Sequence, residues 1–298
     1  MPMNSHSTVD EYTLDAHRVR LLFDRASRTY ARSAVVQGEL RARLLERLGV
    51  VKLQPRTVLD LGAASGQSSR ALKERYPKAQ VLALDFSLAM LQEAAHQQRW
   101  LRRFERIGAN AERLPLRTEA IDLVFSNLML AWCNDPDAIF RETSRVLRTE
   151  GLFTFTTFGP DTLKELRERF RIVDGHTHVH RFIDMHDLGD ALLRAGFIEP
   201  VMDTERLTVT YPSLRALMRE LHMSGAGNAT AGRRRTWLGR RHFQTLERAF
   251  DAMRTEGAIP LSLEIVYGHA WRGARRPDRA PGHEFVVPIS AVRSRVHK

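Results

Sequence analysis

Cysteine is nearly missing: Cys133 stands alone in 298 residues, which excludes an intramolecular disulfide and fits a reducing compartment. Long apolar runs are missing too. No stretch approaches the roughly twenty apolar residues of a membrane span, and Met1 to Tyr12 lacks the apolar centre of a secretory signal, so the cytoplasm is the expected setting. Acidic residues are in deficit, 35 Asp and Glu against 46 Lys and Arg, for a net charge of +11. That balance predicts attraction to something anionic: nucleic acid, a membrane surface or an acidic protein. No internal repeat divides the chain, and 43% hydrophobic with 27% charged residues is ordinary for a globular fold with a full core.

What is present is organised around Thr57 to Gly66, where the apolar run Val58 to Leu61 carries Asp60 and then breaks into small residues before a helix from Ser68 to Arg75. This is the grammar of strand, tight turn and helix. Gly62 and Gly66 let the chain turn sharply and let a ligand lie against the main chain. A second strand, Val81 to Leu84, ends in Asp85, about twenty residues on, the distance at which such folds place an acid on ribose hydroxyls. Dinucleotide sites need Gly-x-Gly-x-x-Gly facing a pyrophosphate, whereas Asp60 would repel a phosphate and attract an ammonium. The loop therefore reads better as a site for S-adenosylmethionine, which has a positive sulfonium and no phosphate.

Helical spacing over Asp15 to Leu48 predicts two helices before the first strand, stopped by Gly49, with aromatics Phe23 and Tyr30 on the first. Ser87 caps a helix through Met90 and Leu91 towards Trp100, and Phe104 to Ile107 reads as a weak strand. Asn110 and the Ala111 amide are placed to meet an adenine edge, with a simple Asn turn as the competing view. Ile121 to Asn127 is a buried parallel strand that stops at Asn127, on the carboxyl edge where open α/β sheets bind ligands. Asp135-Pro136 opens a helix to Leu147, and Leu152 to Phe158 forms the next strand. The alternation predicts an α/β fold with a doubly wound, mostly parallel sheet.

Beyond Phe158, Gly159-Pro160-Asp161 caps a helix to about Val173, and a histidine-rich stretch follows with His176, His178, His180 and His186. No cysteine or carboxylate falls at a ligand interval, so this reads as a mobile polar loop near the cleft and not as a metal site. A helix, Asp187 to Ala195, and two strands, Pro200 to Tyr211 and Leu261 to Trp271, complete the pattern. Between those strands lie roughly fifty residues that a hairpin would not need, read as a lid or docking insert over about 211–260. The expected boundaries are a flexible N-terminus, 1–14, a domain over 15–271, and a basic, disordered tail over 272–298.

Several segments together resemble a known family. They are Phe23-Asp24-Arg25-Ala26 with Tyr30, the loop at 58–66, Asp85-Phe86-Ser87, Ser126-Asn127-Leu128 with Trp132-Cys133, Phe155 to Thr162, His180-Arg181-Phe182 and Tyr267 to Trp271. They resemble the malonyl-acyl-carrier-protein O-methyltransferases of the biotin pathway, class I methyltransferases, over nearly the whole chain. The resemblance implies methyl transfer from S-adenosylmethionine to the free carboxylate of a malonyl thioester, with no metal. It implies donor contacts from Asp60, Gly62, Gly66, Asp85, Phe86, Asn110, Ala111 and Asn127, a lid role for Tyr30, and Arg181 as the guanidinium that holds the acceptor carboxylate. It also gives the net charge a partner, an acidic carrier protein docking on Arg233, Arg234, Arg235, Arg240 and Arg241, with neither nucleic acid nor membrane.

The first loop departs from the family pattern: Ala63, Ala64 and Ser65 replace a cysteine, a glycine and a threonine, and Asn110 stands where aspartate is frequent. If position 64 has positive φ, its methyl costs about 1 kcal/mol. Three alternatives stay open. One is a relative of the respiratory complex I assembly factors, suggested by Asp161-Thr-Leu-x-Glu-Leu166 and Tyr211-Pro; the others are a nucleic-acid methyltransferase and a non-catalytic module of the same fold.

Overall fold

A computed structural model of the chain describes residues 10–100, 102–236 and 238–274. Trp237 and most of the basic tail, 275–298, lie outside the described residues, as does 1–9. Seven strands form one sheet: β1 (Thr57–Leu61), β2 (Gln80–Asp85), β3 (Glu105–Gly108), β4 (Ile121–Asn127), β5 (Leu147–Phe158), β6 (Phe197–Tyr211) and β7 (Ile259–Arg272). Their order is β3-β2-β1-β4-β5-β7-β6. The first five run parallel, and β7 is antiparallel to both β5 and β6.

Side chains alternate along each strand, so one central run feeds two cores. Val58, Val81, Leu123 and Phe125 pack with Leu40 and Leu44 of α2 (Val35–Arg47), Leu72 of α3 (Gln67–Arg75), and Leu91 of α4 (Leu88–Ala95). Leu59, Leu61, Leu82 and Val124 face the other way. There they meet Ile139 and Phe140 of α5 (Pro136–Val146) and Leu188 and Leu192 of α7 (Met185–Arg194). Both faces of the sheet are thus covered by helices, and among the described residues no helix is long and apolar enough to cross a membrane.

The insert between β6 and β7 has a core of its own. Leu214 and Leu217 of α8 (Leu214–Met223) and Leu246 and Phe250 of α9 (Arg240–Asp251) close on Leu166 and Phe170 of α6 (Lys164–Arg171), with Val179 and Phe182. It is a packed cap, anchored where Tyr211 pairs with Ile259 at the strand ends.

Several boundaries differ from those expected. α4 ends at Ala95, well short of Trp100, because the polar run after it offers no apolar stripe and Trp100 is 83% exposed. α6 starts at Lys164 because Gly159 to Thr162 closes a turn, the Thr162 amide donating to the Gly159 carbonyl at 3.0 Å. The stretch before α1 (Ala16–Ser33) is tied down from residue 10 onwards: Leu14 is buried, bridges Thr230, and its amide donates to Asn134 Oδ1 at 2.8 Å. Arg272, assigned to the tail, belongs to β7 and is buried against Glu119 at 3.1 Å and Thr149 at 3.2 Å.

Candidate active site

The strand order reverses between β1 and β4, and the carboxyl ends of β1, β2, β3 and β4 open there into a cavity of about 910 Å³. The loop after β1 is its floor. Gly62, at φ 81°, needs its glycine: a Cβ there would lie 2.4 Å from the Met129 side chain. At Gly66, φ 79°, a Cβ would lie 2.7 Å from that of Ala94. Between them Ala64 takes φ 45°, a conformation costly for alanine, and its amide donates to Asp85 Oδ2 at 2.9 Å.

Asp60 lies beneath this loop, 1% exposed. Its Oδ2 accepts from the Ser69 hydroxyl, but Oδ1 is buried without a partner among the described residues. Burial, with the Asp85 charge a lesser contributor, pushes its carboxyl up to about 7. An unpaired buried acceptor of this kind is costly until a donor reaches it, and a substrate ammonium is a fitting one. Asp85 is also buried and pushed up by that burial to about 6, while the Ser87 amide donates to its Oδ1 at 2.8 Å.

Of the residues expected to contact ligand, Tyr30, Gly62, Asp85, Phe86, Asn110, Ala111 and Asn127 line the cavity, whereas Gly66 and Asp60 sit behind its wall. Asn110 makes the turn that was the competing view, its Oδ1 accepting from the Glu112 amide at 3.0 Å, and it lines the cavity as well. Asn127 spends both ends of its amide on the protein: Oδ1 accepts from Thr156 Oγ1 at 2.8 Å and Nδ2 donates to the Gln37 carbonyl at 2.9 Å. It therefore ties β4 to β5 and α2. Tyr30 faces Phe23 at 6.4 Å, and Phe23 in turn meets Phe86 at 6.3 Å and Trp132 at 5.1 Å. Burial, reinforced by the Asp85 carboxylate, holds the Tyr30 phenol far above its usual range, so it stays protonated as a donor.

Arg181 is not brought to the cavity. It is exposed, with its guanidinium 4.3 Å over the Tyr12 ring, because His180 and Phe182 on either side turn inward and send the residue between them out. The histidine-rich stretch runs as an irregular loop beside the cavity, with His176 and, beyond it, His186 exposed but two of its histidines packed. His178 stacks on Phe170 at 3.8 Å and donates to Asp174 at 2.7 Å; His180, 9% exposed, donates to the Ala131 carbonyl at 2.8 Å. Burial pushes His180 down to about 4, so it is a neutral packing element. Among the described residues, no three His, Cys, Asp or Glu side chains gather to hold a metal.

The basic patch is smaller than expected. Arg233 pairs with Asp15 at 3.3 Å and Arg234 with Asp174 at 3.1 Å, so both brace the cap against its surroundings. Arg235, Arg240 and Arg241 remain exposed. Two arginines that the sequence did not single out stand closer to the chemistry. Arg41 donates to Gln67 Oε1 at 3.2 Å beside Tyr30 and Asp60, its pKa lowered by burial. Arg18 lines the cavity. Both sit on amphipathic helices among many exposed arginines, and nothing in the pattern marks them.

A family model described as a methyltransferase domain matches residues 59–155. A malonyl-acyl-carrier-protein O-methyltransferase of Laribacter hongkongensis is 48% identical over 91% of this chain and 94% of its own. One from Gallionella capsiferriformans is 45% identical over 91% and 96%. Among solved structures, the YcgJ protein of Bacillus subtilis superposes with a TM-score of 0.57 at 15% identity, covering 78% of this chain and 99% of its own, a likeness of fold.

Proposed function

This chain belongs to the malonyl-acyl-carrier-protein O-methyltransferase family, and from that premise we propose that it esterifies the free carboxylate of a malonyl thioester on an acidic carrier protein, as an early step of biotin synthesis. S-adenosylmethionine supplies a methyl group already activated on a sulfonium, so the chain's task is placement and the exclusion of water. The observation that carries the reading is the buried, unpaired Oδ1 of Asp60 under the glycine turn at the switch point of the sheet. Asp60, just behind the wall at the glycine turn, supplies the charge that attracts the ammonium of the donor's methionine part. Asp85 accepts from ribose hydroxyls with the lone pairs left over from its two amide donors. Asn110 and Ala111 meet the adenine edge, and Phe86 packs beside it.

The acceptor enters between α1 and the cap. Its carboxylate is ionised at neutral pH, so no general base is needed. Tyr30, protonated and with no hydrogen bond to the described residues, donates to the acceptor carboxylate and closes the site with Phe23 and Trp132. Arg235, Arg240 and Arg241 attract the carrier. Cytoplasmic location is part of the proposal and rests on the single cysteine.

The test is complementation of a bacterial strain blocked at malonyl-carrier methylation. Growth without biotin is expected from the chain and not from its Asp60→Asn variant. Failure of the chain at expression levels where a curated relative restores growth rejects the assignment.

A further inference from the structure

α1 runs along the cavity, which Arg18, Leu22, Phe23 and Tyr30 all line. Its two flanks face different neighbours. With 3.6 residues per turn, Arg20 and Asp24 share one flank, and Asp24 accepts from the Ser87 hydroxyl that caps α4 on the donor side. Arg18, Leu22 and Thr29 share the opposite flank, where Thr29 donates to the Met223 carbonyl at 2.7 Å and Leu22 lies against Gly227. That flank belongs to the cap, hence to the acceptor. The Nε of Arg18 is shielded from solvent and has no hydrogen-bond partner among the described residues. A buried donor on a permanently charged group calls for an anion.

Distance selects which anion. Twelve residues of helix separate Arg18 from Tyr30, a rise of about 18 Å. An extended chain gains about 3.6 Å per three bonds, so the roughly sixteen bonds from a malonyl carboxylate to the phosphorus of a pantetheine arm span about 19 Å. With the carboxylate at Tyr30, the phosphodiester falls at Arg18. The basic stretch reaches the same end of α1, where Arg233 pairs with Asp15 at 3.3 Å.

We propose that Arg18 binds the phosphodiester of the carrier's pantetheine arm, and that α1 is the wall along which the arm runs to Tyr30. This rests on the functional reading above. The test compares malonyl-phosphopantetheine with malonyl-pantetheine as acceptors. The intact chain is expected to favour the phosphate-bearing thioester by about tenfold or more in kcat/KM, carried in KM. Arg18→Met should bring the ratio of the two acceptors close to one, and Arg18→Lys should keep part of it.

No preference in the intact chain overturns the proposal, as does a preference that survives in Arg18→Met or an equal loss on both acceptors. If the intact chain methylates neither thioester, malonyl carrier protein offered in parallel reports on the functional reading separately, and that reading fails only if the carrier is not methylated either. Calorimetry with phosphopantetheine then decides: binding to the intact chain and not to Arg18→Met sustains the site, and no binding to either overturns it.

Discussion

The half of the cavity proposed for the donor is made from the ends of four adjacent parallel strands, with Gly62, Asp85, Asn110 and Asn127 each within a few residues of the sheet. The half proposed for the acceptor is assembled from α1, residues 174–184 and the cap. Distant hydrogen bonds hold it: Leu14 to Asn134, Thr29 to Met223, and Asn228 Nδ2 to the Thr177 carbonyl at 2.6 Å. Geometry on the first side follows from strand register and backbone turns. On the second it depends on a separate apolar core. The two halves should therefore fail independently, since damage to one need not reach the other.

The largest expected effect comes from breaking the cap's core. Phe250 is fully buried there, so Phe250→Ala should cost about 3–5 kcal/mol of stability, read by chemical denaturation. Methyl transfer to the carrier should fall while donor affinity, read by calorimetry at a temperature where the sheet stays folded, is kept. Parallel loss of both would mean the halves are not separable.

Asp60→Asn is the reverse cut, expected to weaken donor binding by about 2–3 kcal/mol while the fold survives. Asp60 and Asp85 sit near 7 and 6, both raised above the ordinary carboxyl value. The free protein therefore binds more protons folded than unfolded, and these groups lower its stability as pH rises from about 4 through 7. Donor binding should run the other way and tighten as pH rises from about 6 to 7.5, because the ammonium needs an ionised Asp60. In Asp60→Asn the stability slope above pH 6 should flatten; an unchanged slope would remove Asp60 from the titration.

Ala64→Gly sharpens the donor side. Relief of the positive φ should stabilise the protein by about 0.5–1 kcal/mol, measured as a rise in Tm. A fall would mean that the methyl packs usefully. The smallest effect on the fold is expected from Arg235, Arg240 and Arg241 changed together to Ser. Stability should stay within about 0.5 kcal/mol, while KM for the carrier rises and its salt dependence shrinks.

The same contrast explains what could be read from the sequence. The places of Asp60, Gly62 and Asp85 in strand and turn were legible because strand, turn and acid recur at fixed short intervals, and the unbroken apolar run Ile121 to Asn127 marks a strand covered on both faces. The strained Ala64 was anticipated in kind from the family's glycine. On the acceptor side, Arg181 was chosen from its motif, yet an alternation of inward and outward side chains over 180–182 carries it to the surface. His178 and His180 looked as polar as His176 and His186 because the residues that pack them, Phe170, Ala131 and Trp132, lie elsewhere in the chain. Arg233 and Arg234 looked free for the same reason, their partners Asp15 and Asp174 being remote in sequence.

The most direct measurement uses methyl-labelled S-adenosylmethionine and malonyl carrier protein with the purified chain, followed by mass spectrometry of the carrier's acyl group. The account predicts label in an ester methyl on the malonyl carboxylate, lost in Asp60→Asn. An unlabelled acyl group, with a curated relative labelling it in a parallel reaction, would contradict it.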